Sequence, residues 1–315
     1  MEVYRSLKEL PPLSSSVISI GSYDGLHRGH FHILNRLKSI AHSIETVSVV
    51  LTFHPHPRFI LDKSKTKLSL IMSIERKIEI FRSLNIDMLT ILDFNNKFMR
   101  ISAKDFMNDI LIQYFNPKYI VAGKNHHFGY KKSGDENFLK YYCKNKKIGL
   151  EIVKPLRDGK NIISSTSIRK LITNGFIRRA NYELGSIFGF NAKVVSGAGR
   201  GKDIEFPTAN LQPLEENQIL PKKGVYLTRC IIDGFSHYGM CNFGTRPTFK
   251  EHNLVLEVHL LDDFSRNVYG HSVWIEFLER IRSEKKFSSV SELKKQLYND
   301  KGKCLGLKDK YELGG

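Results

Sequence analysis

Residues 17–37 read VISIGSYDGLHRGHFHILNRL, and the change of character within this stretch decides the fold of the first half of the chain. VISI (17–20) is short, apolar and β-branched, which marks a buried strand. From His30 onward apolar residues recur at helical spacing, so a helix follows after a short bend. In that bend Gly21, Gly25 and Gly29 permit close backbone approach, with Ser22, Tyr23 and Asp24 between them. The first N–H groups of a helix lack partners and its dipole favours negative charge, so this turn is a natural anion site. His27 and His30, three apart at the helix start, are suited to donate to phosphate oxygens as charge builds in phosphoryl or nucleotidyl transfer.

Working outward, the same strand-then-helix alternation repeats. VSVVLTF (47–53), MLTILDF (88–94), YIVAG (119–123) and LEIVK (150–154) read as further buried strands, with helical patterns between them. Ser102 and Asp105 open one of these helices as a capping box. This order predicts a doubly wound parallel sheet covered by helices on both faces, with ligands at the carboxyl ends of its strands. After about 190 the pattern becomes alternating strands separated by Gly, Pro and Asn turns, which predicts a small antiparallel β-barrel. A helix over SELKKQLYND follows it, with Ser289 and Glu292 spaced as a capping box. The domain boundary is expected near GSIFG (185–189), giving domains 1–186 and 187–315.

With 315 residues and 41% hydrophobic content, the chain is long enough for two cores. No stretch approaches the ~18 apolar residues of a membrane span, and no secretory signal is read at MEVYRSLKELPPL, so a cytoplasmic protein without a membrane partner is expected. The four cysteines, Cys143, Cys230, Cys241 and Cys304, form no C-x-x-C pair and read as reduced thiols. A net charge of +17 calls for anionic partners. No nucleic-acid module is recognisable, so phosphorylated small molecules are the expected partners and nucleic acid is not.

A second anion-binding pattern stands at NIISSTSIR (161–169), where Ser164, Ser165 and Thr166 offer capping hydroxyls and Arg169 a bidentate guanidinium. Together the two stretches match the G-x-F-D-G-x-H-x-G-H and I-S-S-T-x-I-R patterns of the nucleotidyltransferase superfamily, with Tyr23 in place of phenylalanine. TFHPHPRFIL (52–61) and VAGKNHHFGYKKSGD (121–135) narrow this to a resemblance to bacterial bifunctional riboflavin kinase/FAD synthetases. The resemblance implies that His27 and His30 contact ATP phosphates within the Gly21–Asp24 and Gly29 loop. It assigns the outer phosphates to Ser164, Ser165, Thr166 and Arg169, and the flavin and nucleotide pocket to Pro55, Pro57, Asn125 and Phe128. His126 stands where the family usually has phenylalanine.

In the second half, VVSGAGRGKDIEFPTANL (194–211) joins a glycine-rich loop to Thr208 and Asn210, whose oxygens are hard ligands of the kind Mg²⁺ takes. Strand alternation puts Val255, Glu257 and His259 of LVLEVHLL on one face, and a strand-borne Glu is a rigidly held base for an alcohol. PTAN, PKKGVY (221–226), NFGTRPTF (242–249), LEVHL and IRSEKKF (281–287) are similar, in this order, to flavokinase motifs. That likeness implies ATP binding by Gly197 and Gly201, Mg²⁺ and ATP at Thr208 and Asn210, and activation of the ribityl 5′-hydroxyl by Glu257. The implied reactions are riboflavin to FMN in the barrel and FMN to FAD in the first domain, each with ATP. Glu205 replaces the family's usual glycine before F-P-T, so the alternative is an FAD synthetase with a weak or inactive kinase domain.

Overall fold

The computed structural model describes residues 1–62, 68–196, 205–247, 252–262 and 268–312, with side chains described for all of these except 246–247 and 252–254. The chain forms two compact units, Met1–Ser165 and Thr166–Gly315.

The first unit holds six parallel strands, β1 (Glu2–Tyr4), β2 (Ser16–Ile20), β3 (Val47–His54), β4 (Met88–Asp93), β5 (Pro117–Gly123) and β6 (Gly149–Val153), in the order β1-β4-β3-β2-β5-β6. Because side chains alternate across a strand, neighbouring residues bury in opposite layers. Val17, Val50 and Val121 pack under α1 (Arg28–Ser43) and α3 (Ile74–Ser83) with Leu34, Leu37 and Phe81. Ile18, Val49 and Ile120 face the other way, toward Phe106, Met107, Leu111 and Leu139. Each fully buried aliphatic side chain contributes ~1.5–3 kcal/mol, so a two-sided β-branched strand is the cheapest centre for such a sheet. The chain steps outward from β2 to β3 and β4, then returns to β5 on the other side of β2. The carboxyl ends of β2 and β5 therefore part at a topological switch point, where α/β sheets bind ligands.

Three features differ from the sequence reading. β1 was not expected, because three residues carry no periodicity; it is held by pairing Glu2–Tyr4 with Met88–Thr90. The expected helix over 102–115 is α4 (Ala103–Asp105) continuing as a π-helix, Phe106–Phe115, that ends on left-handed Asn116. Two short segments add to the helices and strands of this unit: α2 (Pro57–Leu61), and the hairpin of β7 (Arg157–Asp158) with β8 (Asn161–Ile162). α5 (Glu136–Lys146) starts on Asp135, whose side chain accepts from Phe138 N–H at 2.8 Å.

In the second unit, β9 (Gly189–Val195), β10 (Ala209–Pro213), β11 (Gly224–Ile232), β12 (Phe235–Pro247), β13 (His252–Leu260) and β14 (Ser272–Arg282) close an antiparallel barrel in the order β10-β13-β12-β11-β14-β9. Phe188, Phe190, Phe277 and Tyr226 pack against one another there, edge-on or tilted. Two helices precede the barrel, α6 (Ser165–Asn174) and α7 (Ile177–Leu184). Asn181 fixes α7 to it, donating to the Phe277 carbonyl at 2.9 Å and accepting from Phe188 N–H at 2.8 Å. Residues 166–186, expected with the first domain, thus pack with the barrel.

The last helix, α8 (Val290–Glu312), runs well beyond the expected SELKKQLYND. Gly302 and Gly306 have no atoms near where a Cβ would stand. On the packed face Cys304, Leu297, Leu307 and Tyr311 close the core with Phe206 and Leu278, which offsets the ~1 kcal/mol cost of each helical glycine.

Candidate active sites

The bend after β2 opens into a cavity of about 250 Å³, lined by Gly21, Ser22, Tyr23, His27, Gly29, His30, Asn125 and Ser164 among others. His27 is the N-cap of α1, its Nδ1 accepting from His30 N–H at 3.3 Å. With Nδ1 accepting, the neutral ring carries its proton on Nε2. The two imidazoles stack, centroids 3.7 Å apart and planes 16° apart. A Cβ at Gly29 would stand 3.2 Å from the His27 ring, which explains the glycine. Burial lowers the His27 pKa to about 4. His30 lies well below its ordinary value, through burial, then His27, then the Lys77 charge, and its buried Nδ1 has no hydrogen-bond partner among the described residues. Both rings are therefore neutral at pH 7, and a polyphosphate anion would raise their proton affinity.

The loop itself is over-determined. Asp24 is buried, and its carboxylate accepts from Ile71 N–H at 3.1 Å and Met72 N–H at 3.3 Å, so it anchors this turn to the segment before α3. Tyr23 adopts φ +47, with its hydroxyl and Ser19 Oγ hydrogen-bonded at 2.7 Å and its ring edge-on to His30. Ser165 Oγ donates to the Asp24 carbonyl at 2.7 Å, so NIISSTSIR does meet the first bend through its serines. Thr166 and Arg169 stand on α6, in the second unit.

A second cavity of about 600 Å³ adjoins the first, sharing Ile20, Gly21, Ser22, Asn125 and His126 with it. Its walls are aromatic, with Phe53, Phe94, Phe98, Phe106 and Phe128, and include Pro57. Pro55 follows a cis peptide after His54 and is not part of this wall among the described residues. A Cβ on Gly129 would lie 2.6 Å from Ala103 N, so only glycine lets this loop close on α4. His126 keeps a stacking contact, its ring 5.6 Å from Phe128 at 23°. Burial holds its pKa at about 4, and its Nε2 has no partner among the described residues.

In the barrel, register assembles the site. Glu257 of β13 stands opposite Asn210 of β10 on one side and Asn242 of β12 on the other. Directly opposed residues share a face, so the three polar side chains form a row. A cavity of about 320 Å³ is lined by Thr208, Asn242, Glu257, His259, Arg282 and Phe287 with others. Asn242 opens the NFGTRPTF motif but takes no role from it; cross-strand position places it beside Glu257. His259 Nδ1 bonds the Pro207 carbonyl at 2.9 Å, and that carbonyl only accepts, so the ring proton is on Nδ1. Glu205, standing where the family usually has glycine, takes φ +64, in the left-handed region that favours glycine. Its carboxylate is tied to α8, accepting from Tyr298 OH at 2.8 Å with Lys294 Nζ at 3.8 Å. Gly197, Gly201 and the remainder of that glycine-rich loop up to residue 204 lie outside the described residues.

The oxygens available suit a hard cation. Thr208 offers a hydroxyl, and Asn210 and Glu257 stand paired beside it. Mg²⁺ uses few protein oxygens plus phosphates and water, whereas no His, Cys, Asp and Glu cluster of metal-site type occurs among the described residues. The four cysteines are free and buried, as expected of reduced thiols. Among the described residues no helix is long and apolar enough to cross a membrane.

Comparison with known proteins covers both halves. The FAD synthetase family model matches residues 11–167 and the riboflavin kinase family model residues 184–307. A bifunctional riboflavin kinase/FMN adenylyltransferase of Bacillus subtilis is 35% identical over 295 residues, 93% of this chain and 92% of the relative. The Escherichia coli K12 protein of the same name is 31% identical over 307 residues, 95% and 96% of the two chains. A solved structure named as a macrolide-efflux protein from Streptococcus pneumoniae superposes with a TM-score of 0.86 at 31% identity, covering 96% of this chain and 97% of that one. With likeness over 93% and 95% of its length to these two relatives and a match to both family models, the chain belongs to the bifunctional riboflavin kinase/FMN adenylyltransferase family.

Proposed function

We propose that this chain makes FMN from riboflavin and ATP in its barrel, then FAD and pyrophosphate from FMN and a second ATP in its parallel-sheet domain. The observation that carries the reading is the pair of adjoining cavities at the switch point, one lined by His27 and His30, the other walled by aromatic side chains. For the functional segments we take 1–186 as the transferase and 187–315 as the kinase.

In adenylyl transfer an FMN phosphate oxygen bonds to the α-phosphorus of ATP as the bond to the β-phosphate oxygen breaks. The nucleophile is already ionised, so position and charge neutralisation lower the barrier. His27 and His30 donate to phosphate oxygens beside the Gly21–Tyr23 backbone and Gly29, while Ser164, Ser165, Thr166 and Arg169 hold the outer phosphates. Asn125, Phe128 and Pro57 line the flavin side, and Asp24 acts by fixing the loop.

In the kinase step the ribityl 5′-hydroxyl attacks the γ-phosphorus of ATP, ADP leaves, and Glu257 receives the hydroxyl proton. Thr208 and Asn210 would hold Mg²⁺ together with the ATP phosphates, whose charge it neutralises, and Gly197 and Gly201 belong to the same nucleotide site. With Glu205 turned to α8, its carboxylate is engaged by Tyr298 and Lys294, and both activities are expected. The place of work is the cytoplasm. Incubation with riboflavin, ATP and Mg²⁺, with flavins separated by chromatography, should give FMN followed by FAD; absence of both would refute the reading.

A further inference from the structure

Lys77 is a charged residue in an unusual place. It lies on α3 among Ile74, Ile78 and Phe81 and is only 4% exposed, although lysine is almost never buried without a compensating contact. Its Nζ donates to the Ser22 carbonyl at 2.8 Å, and Thr52 Oγ1 reaches the same oxygen at 3.5 Å. A trans peptide is planar, with its C=O and N–H on opposite sides. Holding the Ser22 carbonyl toward α3 therefore aims Tyr23 N–H the other way, and Ser22 and Tyr23 both line the phosphate cavity. Among the described residues Tyr23 N–H has no protein acceptor. The orientation needs holding, because φ +47 is strained for a tyrosine, by about 1–3 kcal/mol. Lys77 fixes the carbonyl end of that peptide, while Ser19 and Phe81 hold the Tyr23 side chain.

We propose that Lys77 is a positioning residue for adenylyl transfer, which pins the Ser22–Tyr23 peptide so that Tyr23 N–H donates to a phosphate oxygen of ATP. The proposal rests on the adenylyltransferase reading above. Conversion of FMN and ATP to FAD by the wild-type protein tests that reading by itself, so the two can fail separately.

The test uses the full-length protein labelled with ¹⁵N-tyrosine, the Tyr23 amide being identified by the peak that Tyr23→Phe removes. In wild type, saturating ATP should shift that amide downfield. Lys77→Met should suppress the shift, lower kcat for FAD formation about tenfold or more, and raise KM for ATP. KM for FMN and the rate of FMN formation from riboflavin should stay the same. Lys77→Arg, which retains a donor, should recover part of the loss. A donor aimed at developing charge is worth ~10²–10³ in kcat when removed outright, and a misaimed one less. A Lys77→Met protein that is merely less stable, with wild-type kcat and KM, would overturn the proposal. If that variant does not fold, the wild-type titration decides alone, since an unmoved Tyr23 amide at saturating ATP also overturns it.

Discussion

Glu257 shows how much a single position can depend on its cross-strand neighbours. Flanked by Asn210 and Asn242, it faces a cavity rather than bulk solvent. Glu257→Gln keeps the shape and removes the base, so riboflavin phosphorylation should fall by ~10²–10⁴ with conversion of added FMN unchanged. Histidines supply the titration signature. Burial holds His27 and His126 at about 4, below the ~6.5 of an exposed imidazole, and also lowers His30 well below it. The unfolded chain takes up protons near pH 6.5 while the native one does not, so the contribution of these rings to stability is complete above that pH. It is lost as pH falls toward about 4. Thermal unfolding at pH 7.5 and pH 5 should show a falling Tm, and the fall should be smaller in His126→Phe, which removes one such group. An equal fall in both proteins would mean that His126 is not desolvated in the native state.

At the scale of elements, the loop before β10 and the helix α8 offer opposing effects that can be weighed. Glu205 in a left-handed conformation costs roughly 1–2 kcal/mol, whereas its exposed contacts with Tyr298 and Lys294 contribute ~0–1 kcal/mol, and glycine adds unfolded-state entropy. Glu205→Gly should therefore match or exceed wild-type stability in urea, by up to ~1 kcal/mol, with kinase activity intact; a loss above ~1 kcal/mol would show that the tie to α8 dominates. Ser289 Oγ accepts from Glu292 N–H at 3.2 Å, so Ser289→Ala should cost ~1 kcal/mol. The parallel strands were legible because two-sided burial demands β-branched runs, and the helix starts because Ser102, Asp135 and Ser289 cap them. β1 was not, since a three-residue edge strand is specified by Met88–Thr90 rather than by itself. The full length of α8 was hidden by Gly302 and Gly306, which tertiary packing overrides. Residues carried by one loop, such as His27 and His30, which stack beside one cavity, could be placed together directly. Those defined by register, Asn242 above all, or by a buried contact, such as Lys77 with Ser22, could not.

For the whole molecule, the two units each carry a core and a cavity of their own, so the two reactions should respond to substitution independently. His30→Ala should depress FAD formation from FMN and leave FMN formation from riboflavin in place, the reverse of Glu257→Gln. The most direct measurement is a time course of flavin products from Glu257→Gln beside wild type, each supplied first with riboflavin and then with FMN, with ATP and Mg²⁺ throughout. Wild type should give FMN and then FAD from riboflavin, and the variant should give neither from riboflavin but FAD at the wild-type rate from FMN. Loss of both conversions in a folded Glu257→Gln protein would contradict two separate sites, and FAD formed from riboflavin at the wild-type rate would contradict Glu257 as the base of the first.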